Sequence, residues 1–294
     1  MTGSRGALPV AADDGPIPSV NDSGGNPMKH SRRKTLALAL LVPFATLVAV
    51  PGAEAATERT IKVVTYNVGD AGGLKADLVR LIETERPAVI GLQEVADREE
   101  VVKEAAAAAG YVAIYESDRR AVKHNAILVR GNLTVTGHGA QEISPASKVD
   151  PSTPGTGPAE PGDCGCWVPP KYVNWVRVGG AGFEWVVGVV HLTPSAQRFA
   201  LNRELHNLQV RATADWFSSR VAEPVVMGDF NAEPGSDLMA GLRRVADSSS
   251  APSHATRSID HVWAKKDSTG SEVDALTGYG SDHRPVRARV TVTR

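Results

Sequence analysis

The chain has 294 residues, 42% hydrophobic and 22% charged, with a formal net charge of -1. That is an ordinary globular composition with length for one large domain or two small ones. No basic excess points to a nucleic-acid binder that works by bulk phosphate neutralisation, and net charge leaves room for a local basic patch.

Residues 1–27 are rich in Gly, Pro, Ser and Asp, lack apolar periodicity and read as disordered. A basic cluster follows over residues 29–34, then an apolar run over residues 36–50, then Ala53-Glu54-Ala55 with the small-x-small pattern of a cleavage site. Together these read as a secretory signal peptide within residues 1–56. The apolar run is shorter than the ~20 residues of a membrane span and Pro43 interrupts it, so export is expected over anchoring. Ser31-Arg32-Arg33-Lys34-Thr35-Leu36 partly matches a twin-arginine signal, and translation from Met28 would give a signal of ordinary length. The expected localisation is therefore secreted. Residues 57–294 form the remaining domain.

Ile61–Asn67 is β-branched and aromatic, hence a strand. Leu74, Leu78, Leu81 and Ile82 recur at helical spacing until Pro87, and Ala88–Glu94 is the next apolar strand. A helix is expected over Asp97–Ala109, closed by Gly110, with strands at Tyr111–Tyr115, Ala126–Val129 and Leu133–Thr136. From Ser144 to Pro170 the composition turns to Pro, Gly and Ser, which reads as a long loop within the domain. Cys164 and Cys166 sit in it; an exporting compartment permits a local bridge, and two thiolates alone would make an incomplete metal site.

Strands resume at Tyr172–Val178 and Trp185–His191. Leu201, Leu205, Leu208, Ala212 and Trp216 mark one face of a long helix. The run Val225-Val226-Met227-Gly228-Asp229-Phe230-Asn231 reads as a buried strand whose last carboxylate and carboxamide, two residues apart, face one side. A short helix is expected around Asp237–Arg244, and the last strands at Ser258–Trp263 and Val286–Val292, joined through Ser281-Asp282-His283-Arg284-Pro285.

Successive apolar strands thus end on Asn67, Glu94, His191 and Asp229 with Asn231, which suggests a common rim where the ends meet. With Asp260 and Asp282 the donors are mostly carboxylate and amide oxygen, a set suited to Mg²⁺ or Mn²⁺ rather than a closed zinc cage. His191 and His283 beside such a cation point to hydrolysis at phosphorus, with charge neutralised by metal and histidine and water activated by a carboxylate. No His-Glu-x-x-His or Gly-x-Ser-x-Gly pattern supports a zinc protease or a serine hydrolase.

Thr65-Tyr66-Asn67, Gly91-Leu92-Gln93-Glu94-Val95, His191-Leu192, Gly228-Asp229-Phe230-Asn231, Ser258-Ile259-Asp260-His261-Val262 and Ser281-Asp282-His283-Arg284-Pro285-Val286 stand in an order that resembles the endonuclease/exonuclease/phosphatase superfamily. The resemblance spans Arg59 to Arg294. It implies a four-layer α/β/β/α sandwich of two mixed β-sheets flanked by helices. It also implies Glu94 as principal metal ligand with Asn67 and Asp282 nearby, and Asp229 and Asn231 as the pair that handles the attacking water or the phosphate. His191 would stabilise the transition state and His283, oriented by Asp260, would meet the scissile phosphate or take a proton. The base role stays open between Asp229 and His283.

The implied activity is an exported Mg²⁺- or Mn²⁺-dependent phosphodiesterase acting as a monomer without a stable protein partner, with DNA or RNA as the expected substrate. A phospholipid or small phosphate ester is the alternative, and an inactive binding relative a third reading. The segment between Asp229 and Asp260 lacks an aromatic stretch many relatives carry there, and no aromatic hairpin for membrane contact is apparent. His138, His206 and His254 have no motif context and read as surface residues. His124, ahead of the Ala126–Val129 strand, is a possible substrate contact, and His261 is expected to point away from Asp260.

Overall fold

The strands pair into two six-stranded sheets, and the central ones carry an apolar residue on at least one alternating row. The computed structural model describes residues 57–293 apart from residues 70, 117–121, 123, 154–165, 181–182, 221–222, 234–236 and 247–251, all of them in the unit Glu54–Arg294. The expected signal peptide lies outside the described residues.

The first sheet holds β1 (Glu58–Asn67), β2 (Val89–Gln93), β3 (Tyr111–Ile114), β4 (Asn125–Arg130), β13 (Thr269–Ala275) and β14 (Val286–Thr293), in the order β13-β14-β1-β2-β4-β3. The second holds β5 (Thr134–Ser144), β8 (Lys171–Gly180), β9 (Phe183–His191), β10 (Glu223–Asp229), β11 (Leu242–Ala246) and β12 (Asp260–Lys265), in the order β11-β12-β10-β9-β8-β5. The β1/β2 and β9/β10 pairs are parallel and the others antiparallel, so both sheets are mixed.

Three apolar layers separate four structural ones. Between the sheets lie Ile61 and Val63 of β1, Val89 of β2, Val187 and Val189 of β9, and Val225 and Met227 of β10. The outer face of the first sheet, with Val64, Tyr66, Ile90 and Leu92, is covered by Leu78 and Leu81 of α1 (Leu74–Glu85) and Val102 and Ala105 of α2 (Glu99–Ala108). On the second sheet, Val186, Val190, Val226 and Trp263 meet Val210, Ala214 and Phe217 of α3 (Ala200–Ser218). Each such fully buried aliphatic side chain contributes about 1.5–3 kcal/mol relative to exposure. The arrangement is the expected four-layer α/β/β/α sandwich.

Two glycines set how closely chains approach. A Cβ on Gly91 would lie 2.5 Å from Val189 Cγ2, so the sheets come together at β2 and β9 only because that position is bare. Gly228 has φ +149°, and a Cβ there would lie 2.0 Å from the Val190 carbonyl oxygen, inside the β9/β10 pairing.

Several expectations change in the structure. The strand expected at Leu133–Thr136 runs on to Ser144 as β5, an edge strand whose pairing with β8 compensates for its mostly exposed, apolar-poor sequence. The 144–170 segment carries a small ladder, β6 (Ser147–Lys148) with β7 (Trp167–Val168). Of its two cysteines, Cys164 lies outside the described residues and Cys166 is buried. The short helix expected over Asp237–Arg244 is instead a turn followed by β11; Gly241 at φ +79° ends the turn, and the backbone pairing with β12 overrides local helix propensity. Strand β13, polar and exposed over most of its length, had no apolar alternation to announce it.

Gly228→Ala is expected to destabilise the fold by at least about 1 kcal/mol, since the added methyl meets backbone and the φ is unfavourable for alanine. An unchanged urea midpoint would show that β9 and β10 separate freely.

Candidate active site

The rows of side chains that fill the gap between the sheets end in polar residues at one mouth of that gap. On β1 the inward row is Ile61, Val63, Thr65 and Asn67; on β9 it is Val187, Val189 and His191; on β10 it is Val225, Met227 and Asp229. Antiparallel β12 runs the other way, so its first residue, Asp260, arrives at the same mouth, in register with Asp229, which is itself in register with His191. Below the mouth Thr65 and Gln93 bond to each other through Gln93 Nε2 to Thr65 Oγ1 at 3.1 Å, a buried polar step between apolar core and site.

Glu94 and Asn231 arrive by a different route. Continued alternation would put Glu94 on the outer face with Ile90 and Leu92. Its left-handed backbone, φ 63°, turns the chain so that the carboxylate accepts a hydrogen bond from Asn67 Nδ2 at 3.0 Å. Asn231 lies beyond the end of β10 and is also left-handed, φ 57°, so a turn and not strand periodicity brings it beside Asp229. Such conformations cost about 1–3 kcal/mol each and persist only where the surroundings hold them. Here the Asn231 N–H donates to Asp229 Oδ1 at 2.7 Å and its Nδ2 to the Leu192 carbonyl at 3.0 Å.

Asp229 Oδ2 is the centre of the cluster. It accepts from Asn67 Nδ2 at 3.0 Å, and lies 3.5 Å from His191 Nε2 and 3.8 Å from His283 Nε2. His283 Nδ1 is 2.8 Å from Asp260 Oδ2, and that carboxylate is fully buried. Asp260 is fixed in turn by the Ser253 hydroxyl, which accepts from its backbone N–H at 3.1 Å. Asp282 joins through Ser281, whose hydroxyl donates to the Asn67 carbonyl at 2.9 Å and lies 3.3 Å from Asp282 Oδ1. All eight residues singled out in the sequence therefore meet in one connected cluster.

The buried charges perturb one another. Burial, reinforced by Asp260, pushes the Asp229 carboxyl up to about 7 against the opposing pull of His283, Asn67 and the Asn231 amide. For His283 burial disfavours the charged ring, but the Asp260 hydrogen bond and charge, with Asp229 and Asp282, prevail and push it up to about 9. His191 is held well below the ordinary histidine range by burial and by Lys171, His124 and His283. At neutral pH the mouth thus holds a cationic His283 and a neutral His191.

Three residues entered the neighbourhood that the sequence did not single out for it, or placed elsewhere. His254, expected on the surface, lies against His283 with ring centres 4.6 Å apart and the rings tilted by 41°, and has Nε2 3.2 Å from Asp282 Oδ2. His206, also expected there, is buried, with Nε2 2.7 Å from the Phe230 carbonyl, and so braces the Asp229–Asn231 turn. Lys171 lines the cavity of about 350 Å³ at the mouth, together with Glu94, His191, Asp229, Asn231 and His283. No local pattern marks these three, because each reaches the site from a distant element. His124 has Nδ1 3.3 Å from His191 Nδ1 and lines the same cavity. His261 points the other way, to the Ala232 carbonyl.

The donor set fits a hard divalent cation. Glu94 is 39% exposed at its side chain and Asp282 66%, so both carboxylates are open to a ligand, and Asn67 already uses its amide hydrogens to align Glu94 and Asp229. His254, Asp282 and His283 also place one potential ligand atom each within 4.8 Å of one another, as do Asp229, Asp260 and His283.

The structure is similar to an endonuclease/exonuclease/phosphatase family protein from Bacteroides thetaiotaomicron, at 17% identity and TM-score 0.57 over 80% of this chain and 98% of that one. It is likewise similar to D. rerio TDP2 complexed with a single-strand DNA product, at 15% identity and TM-score 0.55 over 79% and 98%. A third likeness is to the mannosyl-6-phosphatase Bt3783 of Bacteroides thetaiotaomicron, at 17% identity and TM-score 0.55 over 78% and 99%. At such identities these likenesses establish the fold. No curated protein matches the chain. The model of the Endonuclease/Exonuclease/phosphatase family, whose enzymes hydrolyse phosphoester bonds with a divalent metal, matches residues 64–283. The chain belongs to that family.

Proposed function

We propose that this protein is an exported, Mg²⁺- or Mn²⁺-dependent phosphodiesterase that acts as a monomer, with DNA or RNA as its principal substrate. The observation that carries the chemistry is the convergence on Asp229 Oδ2 of an amide and two imidazoles, beside the exposed Glu94 carboxylate. A cation held by Glu94, with Asn67 and Asp282 nearby, would draw off negative charge growing on the phosphate.

Asp229 is the base. Its carboxylate, aligned by Asn67 and Asn231, takes a proton from water as the water oxygen attacks phosphorus and the bond to the leaving oxygen breaks. His283 is unsuited to that role, since the Asp260 carboxylate keeps its ring protonated; it donates to a non-bridging phosphate oxygen instead. With its Nδ2 engaged by Leu192, Asn231 offers its carboxamide oxygen to the attacking water. Neutral His191 donates one further hydrogen bond to the phosphate.

Nucleic acid is favoured by the likeness to a structure holding single-strand DNA product. A small phosphate ester is the second reading, supported by the likeness to a mannosyl-6-phosphatase and by the bounded cavity, one side of which is Val168, Pro169, Pro170 and Pro194. Support for export is the N-terminal sequence alone.

Plasmid DNA, single-stranded oligonucleotides, sphingomyelin and a generic bis-phosphodiester should separate these readings when each is incubated with Mg²⁺ or with EDTA. Turnover of the nucleic acids that EDTA abolishes is expected, and no turnover of any substrate with any divalent metal would sink the reading. Glu94→Ala and His283→Ala are each expected to lower kcat at least about 100-fold with an unchanged circular dichroism spectrum. Wild-type rates in either variant would show the roles to be misassigned.

The kcat/KM profile should be bell-shaped. Activity rises as Asp229 loses its proton, from about 7 in the metal-free protein and lower once a cation favours the carboxylate, and falls near 9 as His283 loses its own. Asp260→Asn removes the carboxylate that raises His283, so its falling limb should move to lower pH; an unmoved limb would contradict the pairing. For export, N-terminal sequencing of protein recovered from culture medium should place the new terminus near Ala55, and retention of the full-length chain inside the cell would exclude it.

A further inference from the structure

We propose that Lys171 is the substrate-phosphate ligand on the wall of the cavity facing Glu94 and Asp229, held there by a strap built from residues 147–153 and 166–170. The inference rests on the phosphoester-hydrolysis reading and adds to it the group that captures the phosphate.

The site is crowded with negative charge. Glu94, Asp229, Asp260 and Asp282 all belong to the connected cluster, and a phosphate brought among them is repelled unless cations stand on more than one side. His283 supplies one and a metal held by Glu94 would supply another, and these two residues belong to the first sheet's side of the mouth. Lys171 supplies charge from β8, beyond β9, and is the one lysine or arginine among the described residues lining the cavity. Its ammonium feels both Asp229 and Glu94, and burial, opposed by those two carboxylates, lowers it to about 8, so it remains charged at neutral pH. A compact ammonium on a long stem is a suitable point-charge partner for a phosphate oxygen.

The lysine is also positioned. Pro169 and Pro170 precede it, with fixed φ and no N–H to donate, so the chain enters β8 stiffly. The residues before them are tied down in turn. Val168 and Trp167 pair with Ser147 and Lys148, and buried Val168 packs with Val149 and with Leu205 of α3. Asn202 of α3 accepts the Asp150 N–H at 3.0 Å and donates to Thr153 Oγ1 at 2.7 Å and to the Pro194 carbonyl at 3.0 Å. One buried carboxamide thus fastens the strap, the helix and the loop after β9 into a single wall.

Calorimetric titration of the Mn²⁺-loaded protein with inorganic phosphate tests this without requiring turnover. Wild-type protein should bind phosphate, Lys171→Met should weaken it about tenfold or more, and Lys171→Arg should restore most of the affinity. Mn²⁺ affinity, read by electron paramagnetic resonance, should be unchanged in Lys171→Met. On substrates that the wild type turns over, the methionine variant should raise KM more than it lowers kcat.

Phosphate binding by Lys171→Met equal to wild type would overturn the proposal, as would a wild-type protein that binds no phosphate at millimolar concentration. A methionine variant altered only in Mn²⁺ affinity would overturn it too, and make Lys171 a competitor of the metal. Phosphate binding that depends on Lys171, in a protein that hydrolyses none of the phosphoesters tried, would instead sink the hydrolase reading and leave the anion subsite standing.

Discussion

The gap between the two sheets governs both stability and site. Its inward rows are apolar along most of their length because unpaired polar groups there would be desolvated at a cost of several kcal/mol each. At one mouth the same rows can turn polar, since water or a ligand is within reach and each polar atom finds a partner. Asn67, His191 and Asp229, each last on its strand, and Asp260, first on antiparallel β12, occupy that mouth. Asn67 of the first sheet then bonds Asp229 of the second, so the two sheets are joined by a hydrogen bond at the place where their apolar contact ends. Close approach at Gly91 and at Gly228 keeps this spacing.

Strain is placed where the rows alone would fail. Glu94 and Asn231, both left-handed, are held there by groups of the same site, the Asn67 amide for one and the Asp229 carboxylate and Leu192 carbonyl for the other. The site and its supporting turns therefore stabilise each other. The braces behind them, His206 on Phe230 and Ser253 on Asp260, are buried side chains that hold the backbone at and beside site residues.

Electrostatically the mouth separates two carboxylates by their partners. Asp260 has a cationic imidazole at 2.8 Å, whereas Asp229 has mostly neutral donors and lies in a similarly buried place. One carboxylate is thus committed to holding a proton on its histidine, and the other is free to exchange one with water. That division, set by distance and burial rather than residue type, is what separates a base from a donor here.

The core strands and helices were legible in the chain because they carry strong periodicity, with Val63 and Val64 on opposite faces of β1 and Leu78, Leu81 and Ile82 on α1, whereas the four-layer arrangement was implied by the resemblance of the ordered motifs. The strand ends Asn67, His191 and Asp229 were legible for the same reason, as a polar residue closing an apolar run. Tertiary structure decided what periodicity does not encode. Polar edge strands β5 and β13, and β11 in place of a helix, exist through backbone pairing with a neighbour that only the fold supplies. Glu94 is turned inward by one backbone angle, His206 and His254 are drawn from supposed surface positions by partners far along the chain, and Lys171 reaches the cavity because a strap fastened by Asn202 carries it there. Local sequence records the preferences of an element for burial, and contacts between distant elements decide which of its side chains meet.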